Sequence, residues 1–197
     1  AYAARGTRPD LIKGFHGLSR RATRWDENAV KFLESILGYA KGTLNVGIEL
    51  DARGTSTDVR DWQIDVSVDA SHDLPWSQTG FFVTLTPIHS KYDALKPPFL
   101  PVDWVSNGQY YMKLAPAEAE TVGLVQASRG GMKYKFSWDD VTCLREPHPM
   151  RVRVDNSQAQ LFVERGWSPT MVHLPRVYAV NVLWVTERLR EGVMIVL

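Results

Sequence analysis

The sequence predicts a mainly β protein with one N-terminal helix: an antiparallel β-sandwich of jelly-roll character, with a β-barrel or an α+β arrangement as the alternatives. Three observations predict it. Apolar and polar residues alternate in segment after segment from residue 43 to the last residue, the period expected of half-buried strands. Turn signals such as Asn107-Gly108 and Arg129-Gly130-Gly131 punctuate those segments. Strand and helix patterns do not alternate in the rhythm that βαβ units require.

Residues 1–25 read as a basic arm. Arg5, Arg8, Lys13, Arg20, Arg21 and Arg24 stand there against a single acid, Asp10. Such asymmetry marks an arm that meets a polyanion or an acidic partner. Gly6, Pro9, Gly14 and Gly17 break any long helix, while Leu11, Ile12, Phe15 and Leu18 are apolar enough to dock. Residues 26–197 read as a single β-rich domain opened by a helix over 26–40. Ala29, Phe32, Leu33, Ile36, Leu37 and Ala40 fall on one helical face, which is expected to cover a sheet. Asp26 or Thr23 caps its start, and Lys41-Gly42 is a stop signal.

The strands follow. Leu44, Val46, Ile48 and Leu50 alternate in one segment, and Trp62, Ile64, Val66 and Val68 in the next. The two are expected to pair antiparallel. Residues 81–88 form a third strand, and Pro97, Pro98 and Pro101 mark an extended loop over 89–101. Asn107-Gly108 predicts a hairpin. Pro116 opens one short helical turn over 116–121. A second hairpin is expected at Arg129-Gly130-Gly131 and a third at Asn156-Ser157. Residues 176–186 read as a long strand, and 193–197 as a closing one.

Bulk properties exclude several classes. With 44% hydrophobic and 23% charged residues, the chain of 197 has an ordinary globular composition. A single cysteine, Cys143, rules out an internal disulfide and a cysteine-based zinc site. No apolar run approaches the roughly 20 residues of a membrane-spanning helix. The Arg-rich, acid-poor start has the composition of a remnant of an organelle transit peptide.

No catalytic motif stands out. The phosphate-binding glycine signatures and the G-x-S-x-G elbow are missing. The five histidines are scattered, without metal-ligand spacing. Asp61, Asp65 and Asp69 share one strand face, about 13 Å apart between neighbours, and read as a solvated face. Asp69, His72 and Asp73 form a compact turn cluster able to bind a cation, although turn chemistry alone favours such residues. Cys143 near His148 reads as a buried structural cysteine. Arg129, Lys133 and Lys135 interleave with Tyr134 and Phe136, and Arg151 and Arg153 share a strand face. That pattern suits single-stranded nucleic acid, and plain alternation produces it as well.

The resulting expectation is a non-enzymatic structural subunit of a large assembly, most concretely a viral coat or matrix protein. The likeness to jelly-roll coat proteins is one of architecture and rests on no motif. Its partners are copies of itself or neighbouring subunits, and nucleic acid through the basic arm, with no cofactor, no metal and no transmembrane segment. Its place is a virion, or otherwise an intracellular or organellar assembly. The alternatives are a subunit of an organellar complex and a β-sandwich enzyme or ligand-binding module built on His72, Asp73 and the loop 89–106.

Overall fold

The computed structural model of the chain describes residues 4, 6–48, 56–72, 77–88, 98–109 and 115–197. They divide into two compact units, Ala1–Glu49 and Leu50–Leu197.

The first unit is helical. A 3₁₀ turn, Pro9–Leu11, leads into helix α1, Ile12–Ser19, and helix α2 spans Glu27–Gly42. Asp26 caps α2 by accepting from the Ala29 N–H at 2.7 Å. Leu11, Leu18 and Ile36 form the apolar contact, with Phe15, Phe32 and Leu33 packed against it. Gly14 and Gly17 lie inside α1 and face α2: a Cβ on either would stand 3.2 Å from the Ile36 or Phe32 side chain. They serve close packing rather than helix breaking. The face of α2 thus meets α1 where a sheet was expected, and Leu37 is 55% exposed and outside the contact. The strand expected over 43–50 is not formed in its described part, 43–48.

The second unit corrects the fold class. It is an α+β arrangement around one mixed sheet, not an antiparallel sandwich. Strands β1 (Trp62–Ser71), β2 (Gln78–Pro87), β3 (Leu100–Gly108), β4 (Met150–Arg153) and β5 (Met194–Val196) lie in the order β3-β2-β1-β4-β5. The β1–β2 and β2–β3 pairs are antiparallel, and the β1–β4 and β4–β5 pairs are parallel. Between β3 and β4 runs helix α3, Pro116–Thr142, which is the crossover a parallel pair needs. Helices α4 (Ser157–Arg165), α5 (Leu174–Val177) and α6 (Val182–Arg190) connect β4 to β5.

Each misread segment has a physical reason. The hairpin expected at Arg129-Gly130-Gly131 is the middle of α3. The helix is buried without a break from Ala117 to Val125, and then at Ala127, Ser128, Gly131, Met132 and Lys135, which recur at three- and four-residue steps, a helical face. The two glycines let the helix settle onto the sheet. A Cβ at Gly130 would lie 2.6 Å from the Phe81 ring, and one at Gly131 would lie 2.6 Å from Val66 and 2.8 Å from the Met150 sulfur. Asn156 starts α4 instead of turning a hairpin, its side chain accepting from the Gln158 and Ala159 N–H groups. Gly166, at φ 76°, ends that helix. Asn181 likewise caps α6 within the expected long strand. The Asn107-Gly108 pair ends β3, and the second arm of its expected hairpin falls mostly outside the described residues.

The core lies between one face of the sheet and the helices. Ile64, Val66 and Val68 of β1, Met150 and Val152 of β4 and Met194 of β5 pack with Leu124, Val125, Phe162, Val163 and Val185. On the opposite face of β1, Gln63 and Asp65 are buried, while Ser67 and Asp69 are exposed. Asp65, 3% exposed, accepts from Arg153 Nε at 3.0 Å and Nη2 at 2.9 Å, with Arg151 Nε at 3.4 Å. Asp61 and Asp69 are exposed, as a solvated face requires, Asp65 is not, and Arg151 and Arg153 are tied to Asp65 rather than forming a free patch.

Candidate metal centre

The parallel pairing of β1 and β4 builds the site. Asp65 stands opposite Arg151, Val66 opposite Val152 and Ser67 opposite Arg153. Carried on by two residues, the same offset sets Asp69 level with Asp155 just beyond the end of β4. Neighbouring strands lie about 4.8 Å apart, so both carboxylates reach one place. Helix α3 supplies the third, Glu120, from its first turns. One carboxylate oxygen from each of Asp69, Glu120 and Asp155 lies within 4.8 Å of the others.

Three hydrogen bonds, through Gln109 and Trp138, tie α3 to the sheet. Gln109 Nε2 donates to the Thr79 hydroxyl at 3.0 Å and to the Ala119 carbonyl at 2.9 Å, beside Glu120. At the far end, Trp138 Nε1 donates to the Trp62 carbonyl at 3.1 Å. The Glu120 carboxyl is therefore held in place before any ligand arrives.

Asp69 and Asp155 are exposed, while Glu120 is 8% exposed. Glu120 Oε1 accepts from the Ala70 N–H at 3.3 Å. Its Oε2 is buried and has no hydrogen-bond partner among the described residues. A buried carboxylate oxygen without a donor is costly. Burial pushes the Glu120 carboxyl up to about 7, the Asp155 charge adds to this, the Ala70 N–H opposes it, and the Asp69 charge adds a little more. Among the described residues no lysine or arginine pairs with any of the three acids. The donor set is all oxygen, with one buried lone pair to satisfy, and it fits a hard divalent cation such as Mg²⁺ or Mn²⁺.

Two residues before Glu120 on the same helix, Glu118 binds the segment that follows α4. His173 Nε2 lies 2.9 Å from Glu118 Oε1, and the Tyr178 hydroxyl donates to Oε2 at 3.0 Å. A groove of about 550 Å³ opens there, lined among others by Glu118, Leu161, Arg165 and Trp167.

Sequence reasoning had weighed Asp69 and missed Glu120 and Asp155. Of its turn cluster, His72 is half-buried and Asp73 falls outside the described residues. Cys143 is exposed at the end of α3, not buried, and His148 Nε2 lies 3.2 Å from the Arg60 carbonyl. Lys133 pairs with Asp103, and the buried Lys135 pairs with Asp139. The six basic residues expected to bind a partner belong to the first unit. Arg5 lies outside the described residues, Arg8 is engaged by Asp10 at 2.8 Å, and Lys13, Arg20, Arg21 and Arg24 are exposed.

No family model and no curated protein matches the sequence. Solved structures align with it only loosely. The native protease–reverse transcriptase of prototype foamy virus aligns at 10% identity and a TM-score of 0.40, over 76% of this chain and 19% of that one. RNase H1 of the halophilic archaeon Halobacterium salinarum aligns at 10% identity and a TM-score of 0.35, over 68% of this chain and 85% of that one. The chain thus spans about a fifth of the viral protein. Likenesses this loose carry no weight for activity.

The expectation of a non-enzymatic coat or matrix subunit is overturned. It stood on a sandwich and on the lack of a catalytic constellation. The sheet is mixed and helix-backed, and three acids converge at its edge. No described helix is long and apolar enough to cross a membrane.

Proposed function

We propose that the unit Leu50–Leu197 is a divalent-cation-dependent nuclease, hydrolysing phosphodiester bonds of nucleic acid. The observation that carries this reading is the meeting of Asp69, Glu120 and Asp155 around a buried, unsatisfied Glu120 oxygen. A divalent cation held by these acids would polarise a phosphoryl oxygen and supply a nucleophilic water at neutral pH.

The protein's own groups prepare that chemistry. The Ala70 N–H orients the Glu120 carboxylate. Asp69 and Asp155 face solvent, where a phosphate backbone can approach. Three converging carboxylates without a cationic partner would repel that backbone, so the reading requires the cation for binding as well as for catalysis. The groove lined by Glu118 supports a polymeric substrate, because Trp167, 61% exposed, offers a face for a base and Arg165 a fork for a phosphate. A ribonuclease of the H kind is the specific form to test first; the carboxylate geometry carries the reading, and the likeness in fold does not.

The test is incubation with Mg²⁺ or Mn²⁺ and end-labelled RNA, DNA and RNA–DNA hybrid. Cleavage is expected, and it should fall below detection in Asp69→Asn and Asp155→Asn. Undiminished cleavage in EDTA, or by either variant, overturns the reading. Cation binding without cleavage of any substrate reduces the centre to a structural one.

A further inference from the structure

We infer that Lys13, Arg20, Arg21 and Arg24, together with Trp25, form a second nucleic-acid-binding face, carried by the unit Ala1–Glu49 and independent of the carboxylate centre. The acids around these cations are already engaged. Asp10 pairs with Arg8, Asp26 caps α2, and Glu27 pairs with Lys31 at 3.4 Å. Lys13, Arg20, Arg21 and Arg24 are exposed and have no carboxylate partner among the described residues. Arg8, one of the six basic residues singled out by the sequence, is excluded: Asp10 and the Thr43 carbonyl and hydroxyl occupy its guanidinium.

The arrangement has a direction. Lys13 and Arg20 are seven residues apart, two helical turns, so they project from the same side of α1. Arg21 lies 5.5 Å from the centroid of the Phe32 ring, a cation–π contact that holds the guanidinium in place. The chain turns through 20–24 with Arg21 N–H bonded to the Leu18 carbonyl and Arg24 N–H to the Arg21 carbonyl. Trp25 follows at once and is 50% exposed. Cations near the C-terminus of α1 suit its dipole, which accounts for Arg20 and Arg21 but not for Lys13 in the first turn or for an exposed indole.

Three of the four cations are arginines, whose planar fork fits phosphate oxygens in pairs. An adjacent indole adds a stacking surface for a base. Cations and an aromatic face in one place suit a nucleic-acid strand better than an acidic protein, which gives the indole nothing to stack on.

The experiment uses the full chain in EDTA and a fluorescently labelled single-stranded oligonucleotide, with anisotropy read across a salt series. Binding is expected to weaken steeply with salt. The triple variant Arg20→Gln, Arg21→Gln, Arg24→Gln should bind at least tenfold more weakly and lower the log–log salt slope by about 2, three contacts at about 0.7 each. Trp25→Ala should weaken binding without changing the slope. Lys41→Gln, at an exposed cation in the last turn of α2, the end far from Arg24 and Trp25, should bind like the parent. Circular dichroism confirms that each variant is folded. Parental affinity and slope in the triple variant overturn the inference. So does equal competition by polyglutamate and by unlabelled oligonucleotide with Trp25→Ala unchanged, which marks an acidic-protein partner. Because no cation is needed, a failed cleavage assay leaves this face standing, and failure here leaves the nuclease reading standing.

Discussion

Asp69 of β1 and Asp155, two residues past the end of β4, bring carboxylate oxygens within 4.8 Å of each other. Their proximity agrees with the offset that pairs Asp65 with Arg151 and Ser67 with Arg153, carried on by two residues. By that offset, one residue inserted into β4 would move Asp155 to the other side.

A cation that binds the folded protein and not the unfolded chain should stabilise it. Thermal unfolding with Mn²⁺ at about a hundred times its dissociation constant should show a gain of about 2.7 kcal/mol. Asp155→Asn should lose most of that gain. An identical shift in the variant would place the cation elsewhere.

Glu120 should make stability fall with pH in the absence of divalent ions. Its carboxyl ordinarily titrates near 4.5 and is held near 7 in the fold. The folded state grips the proton more tightly, so this contribution is full below about 4.5 and is lost as pH rises through about 7. The span corresponds to about 3 kcal/mol. Urea unfolding in EDTA from pH 4 to pH 8 should show the decline in the parent and a flatter profile in Glu120→Gln. Parallel profiles would refute the assignment.

Gly131→Ala should destabilise the second unit despite alanine's better helix propensity. The new methyl would stand 2.6 Å from Val66 and 2.8 Å from the Met150 sulfur. Overpacking of this kind costs about 1–3 kcal/mol, against a helix gain of up to about 1 kcal/mol. A more stable variant in denaturant titration would show that α3 lifts off the sheet easily.

Asp65→Ala should cost about 2–4 kcal/mol. It removes the shared acceptor of Arg151 and Arg153 and leaves the half-buried Arg151 guanidinium without its counter-charge. The magnitude is held down by the exposure of Arg153. An unchanged denaturation midpoint would mean that solvent fully compensates both arginines.

In the first unit the two neighbours Ile36 and Leu37 should behave differently. Ile36 is 7% exposed and packed with Leu11 and Leu18, so Ile36→Ala should cost about 2–4 kcal/mol. Leu37→Ala should fall within about 0.5 kcal/mol of the parent. Equal losses by calorimetry would show that Leu37 is covered in solution.

The sequence revealed its elements unevenly, for physical reasons. The strand through Ile64, Val66 and Val68 was legible because its core face and its polar face alternate. The helix at Glu27–Gly42 was legible from its cap and stripe. Helix α3 was hidden because Val122, Leu124, Met132, Tyr134 and Phe136 also alternate with period two over short windows, and because Gly130-Gly131 imitates a turn. The start of the helix, Ala117–Val125, is buried on every side, so the three-and-four spacing shows only from Ala127 to Lys135. Asn156 was read as a turn residue where it is a helix cap, two roles that one side chain fills with the same hydrogen bond, and Asn181, the cap of α6, was absorbed into an expected strand. The carboxylate centre was lost with α3. Asp69 was visible on its strand, but Glu120 has no reason to approach it until residues 116–142 are a crossover helix and β4 lies parallel to β1.

The two glycines of α3 also act as an index mark for the helix. Glu120 and Gly131 are eleven residues apart, about three turns and about 16 Å along the axis, so they look out on nearly the same side. Sliding the helix by one residue would swing that side through about 100° and drive a side chain into Val66 or Phe81. The alignment of the third acid is therefore enforced from a distance by two residues that have no functional group. A screen for lost cleavage should return Gly130 and Gly131 beside the three acids, although neither has an atom to offer a cation.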